Sequence, residues 1–140
     1  MKMMLAAVGK LKDRGLEALV DDYVGRVSKR IPLKIVEVKS SGKLLDSVPK
    51  GYKKVVLDER GELWNTKELA SFLEKIMLGA VPGVAWIIGG ANGLDDTIKR
   101  KADKILSLSP MTFPHRLARL ILCEQLYRAL SIIHGEPYHK

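Results

Sequence analysis

The chain has 140 residues, 46% hydrophobic and 29% charged, a balance that fits one soluble globular domain spanning 1–140 and large enough to bury a core without staples. Its one cysteine, Cys123, excludes an intrachain disulfide and a cysteine-built metal site. The formal net charge of +8 favours a polyanionic partner, nucleic acid first.

Met3–Val8 reads as a buried strand. The charges at Lys10, Lys12, Asp13 and Arg14 follow too soon for a signal peptide. Lys12–Lys29 places Leu16, Leu19, Val20, Tyr23, Val24 and Val27 at helical spacing, and Pro32 ends that run. Leu33–Val38 alternates as a half-buried strand does. Ser40–Tyr52 holds Gly42, Pro49 and Gly51 and reads as a loop, with at most one helical turn around Leu44–Val48. Lys54–Asp58 is a short strand. Asn65 or Thr66 caps a helix over Lys67–Leu78, which Gly79, Pro82 and Gly83 terminate. Val84–Ile88 is the most apolar strand. Asp95 and Asp96 open a helix over Thr97–Leu106, Leu108–Phe113 is the last strand, and His115–His134 is the last helix.

Strands alternating with helix-sized segments predict an α/β fold, an open and mostly parallel sheet covered on both faces. No apolar run approaches membrane-spanning length, so a cytoplasmic protein without membrane contact is expected. The pattern leaves strand order open, and general topology argues against a knot.

Two strand ends invite chemistry, because ligands of open α/β sheets bind beyond the carboxyl ends of strands. Gly89-Gly90-Ala91-Asn92-Gly93 follows the most apolar strand. It lacks the spacing of a dinucleotide fingerprint and the Lys-Ser/Thr of a phosphate loop. It is either a tight turn or a place where backbone approaches a ligand closely. Ser107–Pro114 carries Pro110 inside an apolar run, so it reads as a loop-like edge whose free backbone groups need partners; an edge strand with a structural proline is the plainer alternative.

The last helix is apolar on nearly every side, which predicts that one side meets a second copy of the chain. Glu124 and Arg128 stand four apart and can pair. Arg116 and Arg119 share a face at the positive end of the helix dipole, where an RNA phosphate would relieve them. His115 starts the helix, where the neutral imidazole is favoured. The three histidines lack ligand-like spacing, so no metal site is expected. The tail Tyr138-His139-Lys140 either frays or supplies groups that stack on a base and hold a phosphate.

Together these strings resemble the RlmH (YbeA-type) family of SPOUT methyltransferases over essentially the whole chain. The likeness is strongest in Ile87–Leu94 (IIGGANGL), Leu106–Arg119 (LSLSPMTFPHRLAR), Glu124–Ala129 (EQLYRA) and Pro137–Lys140 (PYHK). The resemblance implies an S-adenosylmethionine-dependent enzyme methylating N3 of a pseudouridine in large-subunit (23S) ribosomal RNA. It also implies an obligate homodimer and a deep trefoil knot, in the C-terminal half, that forms the cofactor site. Carried over by position, Leu57, Gly90, Leu108, Ser109, Pro110, Met111, Thr112 and Phe113 touch the cofactor, while His115, Arg128, Tyr138 and His139 belong to the catalytic and RNA-facing region. Two departures stand out: Ser40–Tyr52 is short for the family, and the chain ends in Lys140 where relatives have arginine. The competing readings are a SPOUT-type transfer-RNA ribose 2′-O-methyltransferase and an RNA-binding or ribosome-assembly module without catalysis.

Overall fold

Five strands in an all-parallel sheet organise the molecule: β1 (Lys2–Val8), β2 (Leu33–Val38), β3 (Lys53–Leu63), β4 (Gly83–Ile88) and β5 (Lys104–Ser107). The computed structural model describes all 140 residues. The sheet order is β2-β1-β4-β3-β5, so β1 and β4 occupy interior positions. Their near-continuous apolar runs follow from burial on both faces, and every residue of β4 is buried.

The helices are α1 (Arg14–Ser28), α2 (Thr66–Leu78), α3 (Asp96–Arg100) and α4 (His115–Ile133). Each of the first three starts where a side chain captures an orphan amide. Asp13 accepts from the Leu16 amide at 2.9 Å, Asn65 and Glu68 form a reciprocal capping box, and Asp95 accepts from the Ile98 amide at 3.0 Å.

The two faces of the sheet are covered unequally. Met3, Leu5, Val55, Val84 and Trp86 point into a core shared with α1, α2 and α4. The alternate residues Met4, Ala6, Val56, Ala85 and Ile87 meet a thinner cover, chiefly Leu44 and Ile98. Leu44 lies between two short 3-10 turns, Ser41–Lys43 and Leu45–Ser47, inside the segment that reads as a loop.

Three sequence expectations are corrected. The segment Thr97–Leu106 is not one helix: α3 ends at Arg100, and β5 begins at Lys104. Nor is Leu108–Phe113 a strand. The ladder stops at Ser107, whose hydroxyl donates to the Ser109 carbonyl at 2.9 Å, while the Met111 amide donates to the Ser109 hydroxyl at 3.0 Å. These local bonds replace sheet pairing, and Pro110 has no amide to give. β3 also runs further than Asp58. Its pairing with β5 jumps between Leu57 and Glu62, both of which face Leu106, so Asp58–Gly61 bulges out of register.

Candidate functional site

Beyond the carboxyl ends of β3 and β4 lies a cavity of about 740 Å³. β3 contributes Leu57, Asp58 and Glu59, and β4 ends there at Ile88. The turn Gly89–Leu94 forms one wall, the loop after β5 forms another, and His115 and Ala118 from the first turn of α4 close the back.

The glycine turn is sterically obligatory at its first position. A Cβ on Gly89 would lie 2.8 Å from Leu94 Cγ and 2.9 Å from the Gly93 carbonyl oxygen. The Gly93 amide donates to the Gly90 carbonyl at 2.9 Å, and Gly93 takes φ +75°, the positive φ that the Asn92-Gly93 pair suits. A Cβ on Gly90 would meet the Val8 side chain at 3.3 Å, so this wall leans directly on the end of β1.

The opposite wall has the free backbone that its sequence foreshadows. No backbone–backbone hydrogen bond engages any residue of Leu108–Phe113. Leu108, Ser109, Met111, Thr112 and Phe113 all line the cavity, whereas Pro110 is exposed and lies outside the lining. The Thr112 hydroxyl donates to the Glu59 carboxylate, joining the loop to the β3 bulge. In a chain of net charge +8, the lining holds two carboxylates, Asp58 and Glu59, and no lysine or arginine. Lys99 at 2.8 Å holds the Asp58 carboxyl below its usual range, against the opposing effect of burial. Neither carboxylate is a site residue that the sequence singles out, whereas Gly89 belongs to the glycine stretch that it does. The register jump that brings Asp58 and Glu59 over the cavity leaves no mark in residue types.

His115 lies at the cavity with its pKa lowered, first by burial and then by the charges of Arg116 and Arg119. The neutral imidazole expected from the helix dipole is thus favoured by desolvation. Arg119 corrects the expectation that it shares a phosphate-facing surface with Arg116. It is 1% exposed and points inward, with Nη1 donating to Glu37 at 2.5 Å and Nη2 to the Gly9 carbonyl at 3.0 Å. Its Nε has no partner. A carboxylate on β2, beneath the helix, draws in a side chain that spacing alone assigns to the surface.

The remaining site candidates gather elsewhere. At about 1.5 Å per residue, Arg128 lies roughly 20 Å along α4 from His115. Arg128 donates to Glu124 at 2.7 Å, the pairing their spacing predicts, and its guanidinium sits 4.9 Å from the Tyr138 ring centre. The tail ends in a 3-10 turn, Pro137–His139, rather than fraying. The Tyr138 hydroxyl donates to Glu124 at 2.9 Å and shares a 2.9 Å hydrogen bond with Tyr23, while its ring packs edge-on against Tyr127. Burial and these two partners raise the Tyr138 pKa. Burial opposes ionisation of Glu124, but the bonds from Arg128 and Tyr138 outweigh it and hold that carboxyl below its usual range. His139 Nδ1 is buried without a partner.

No group of three or more His, Cys, Asp or Glu side chains is placed to hold a metal ion, and no helix is long and apolar enough to cross a membrane. A parallel sheet with a glycine turn and a loop without backbone pairing at its strand ends defines an α/β protein of the ligand-binding-crevice kind. Residues 1–139 match the family model described as a predicted SPOUT methyltransferase. The chain belongs to the SPOUT methyltransferase family.

Within that family it is 44% identical over 140 residues to a protein of Coprothermobacter proteolyticus, all of both chains being covered. It is 40% identical over 152 residues to one of Geobacter metallireducens, with 99% of each covered. Both bear the name ribosomal RNA large subunit methyltransferase H. Among solved structures, a probable methylase family protein from Haemophilus influenzae shares the fold with TM-score 0.61 and 13% identity, covering 99% of this chain and 70% of that one. The SpoU methyltransferase AviRb from Streptomyces viridochromogenes, solved with its cofactor AdoMet, gives TM-score 0.55 and 12% identity over 91% of this chain. This chain spans 57% of that protein's length.

Proposed function

We propose that this chain, as one methyltransferase domain over 1–140, transfers a methyl group from S-adenosylmethionine to N3 of a pseudouridine in large-subunit (23S) ribosomal RNA. The observation that carries this reading is convergence. Leu57, Gly90 and five of the six residues Leu108–Phe113 surround one cavity, in a chain aligned end to end with proteins named as large-subunit ribosomal RNA methyltransferases.

The cavity fits the cofactor. Its volume lies in the range of small-molecule sites. Apart from the Ser109 carbonyl and the Met111 amide, which side-chain hydroxyls engage, the backbone groups of Leu108–Phe113 are free to meet an adenine edge, the glycine turn admits close backbone approach, and the acidic lining suits a cation. When bound, S-adenosylmethionine supplies an electrophilic methyl already activated by its sulfonium, so no metal is required.

What the chain must do is align the acceptor and remove the imide proton. Orientation supplies much of the rate. His115, held neutral at the cavity, is placed to accept that proton. Arg128, Tyr138 and His139 stand too far from the cavity of their own chain to act there. The reading therefore includes a homodimer, in which the tail of one protomer closes on the cavity of its partner. Leu117 at 40% exposure and Met111 at 73% give the start of α4 and the cavity loop an apolar surface for that contact, and the unpartnered His139 Nδ1 is consistent with a group supplied from outside the chain.

The reading also includes a trefoil knot. In the sheet order, β4 lies on one side of β3 and β5 on the other, so the chain crosses over β3 between β4 and β5 before it enters the cavity loop. The enzyme works in the cytoplasm on a ribosomal particle.

Nucleoside mass spectrometry of RNA from a deletion strain tests the function. Loss of 3-methylpseudouridine from ribosomal RNA, restored by the gene, is expected. Its retention, or loss of a transfer-RNA ribose methylation instead, overturns the reading.

A further inference from the structure

We infer that six unpaired cations, Lys10, Lys12, Arg14, Lys39, Lys43 and Arg116, form a rim that holds RNA phosphates beside the cavity. This inference rests on the ribosomal RNA reading above and assigns the surface that positions that substrate.

The fold puts these residues together. β1 and β2 are parallel neighbours with Val8 opposite Val38, and the Gly9 amide donates to the Val38 carbonyl at 2.8 Å. The turns leaving the two strands therefore emerge side by side, carrying Lys10 and Lys12 on one and Lys39 and Lys43 on the other. Arg119 clamps the start of α4 to the same edge through Glu37 and the Gly9 carbonyl, which brings Arg116 to it. The rim is continuous with the cavity, because Gly90 of the cavity wall leans on Val8.

The β1–α1 turn is shaped to present its lysines. Leu11 is buried between Lys10 and Lys12, which are exposed. Lys12 takes φ +56°, the one non-glycine residue in the chain with positive φ, a conformation a long side chain adopts at a cost.

Charge decides the partner. All six side chains are exposed, and none forms an ion pair, whereas Arg26, Arg30, Lys53, Lys99, Lys104, Arg119 and Arg128 each have a carboxylate. Two carboxylates beside the rim are committed, Asp13 to capping α1 and Glu37 to Arg119, which leaves Glu17 and Asp46 as the acidic groups of these segments against six cations. No aromatic residue occurs in 9–14 or 38–48, so the rim has nothing to stack on bases. Lysine ammoniums without aromatics suit the phosphate backbone, which fixes register and carries no sequence information.

The test compares a rim variant (Lys10, Lys12, Lys39 and Lys43 all →Ala) with a control that loses equal charge at exposed, unpaired lysines elsewhere (Lys29, Lys50, Lys67 and Lys75 all →Ala). The probe is large-subunit ribosomal RNA from a strain lacking the enzyme, titrated as free RNA and within isolated subunits over a range of salt. Calorimetry with S-adenosylmethionine monitors the cavity. The rim variant is expected to bind RNA at least about tenfold more weakly, with the log–log salt slope reduced by about 3, while the control loses less than about threefold and less than about 1 in slope. Cofactor affinity is unchanged in both. Equal losses in the two variants would reduce the effect to net charge and overturn the rim. A wild-type protein that binds the cofactor but shows no salt-dependent affinity for either form of the RNA would instead overturn the functional reading beneath it.

Discussion

The Arg119–Glu37 pair joins one fully buried charge to one that water reaches, and its two members should not cost the same to remove. The Arg119 side chain is 1% exposed and Glu37 35%. Glu37→Ala leaves a guanidinium in the interior with only the Gly9 carbonyl to answer it, and its Nε already lacks a partner. An uncompensated buried charge costs about 3–5 kcal/mol. Arg119→Met leaves a carboxylate that rehydrates, removes a donor from the Gly9 carbonyl, and fills the channel with an apolar chain of similar length. The net cost is about 1–2 kcal/mol. For a chain of this size 1 kcal/mol shifts the melting temperature by roughly 3 °C, so Glu37→Ala should lose about 9–15 °C and Arg119→Met about 3–6 °C. Urea titrations and thermal melts at one fixed protein concentration, since an oligomer's stability depends on concentration, read both. The double variant Arg119→Met/Glu37→Gln should match Arg119→Met alone. If Arg119→Met proves the more damaging single change, packing of the arginine shaft and not the stranded charge governs this site.

Four further outcomes follow from the geometry. Gly89→Ala drives a Cβ into the Gly93 backbone and Leu94 and should weaken S-adenosylmethionine binding more than about tenfold by calorimetry, whereas Gly90→Ala, whose Cβ would stand a looser 3.3 Å from Val8 Cβ, should stay within about threefold. The pair Tyr138→Ala/His139→Ala should cut turnover on ribosomal substrate by about a hundredfold with cofactor affinity within about twofold; unchanged turnover removes the tail from catalysis. Burial pushes the Cys123 thiol up to about 12, so alkylation near neutral pH should label it only in unfolding concentrations of urea; rapid labelling of native protein refutes that. Because the folded chain holds His115 below its ordinary value of 6.5, the unfolded chain takes up the proton more readily. Stability should therefore fall as pH drops below about 6.5, and His115→Gln should flatten that slope in pH-dependent denaturant midpoints.

Sequence periodicity was enough for β1, β2, β4 and the long helices because each is an apolar run or stripe bounded by a clear stop, such as Pro32 after α1 or the Asn65 cap of α2. β5 was misplaced because its four residues, Lys104–Ser107, are too few to show a period, and the apolar stretch that follows belongs to the cavity loop. The glycine turn and the proline-interrupted loop were legible as chemistry, since both break the rules of a strand in ways a ligand would explain. Asp58 and Glu59 were not, because a register shift between β3 and β5 puts them at the cavity, and register is a property of two strands at once. The inward turn of Arg119 depends on Glu37, 82 positions away in sequence, a distance no local pattern spans.

Trp86 stands at 0% exposure in the middle of β4, its indole N–H 3.4 Å from Met3 Sδ, while Trp64 sits near the margin and donates to Glu62. Phe72 lies between them, its ring centre 5.0 Å from Trp64 and 6.2 Å from Trp86. The two indoles thus sample two environments, and the molecule carries a built-in optical gauge. Blue-shifted emission from the inner ring reports whether the central strand is in place, and the outer ring reports whether α2 has docked, with no label attached.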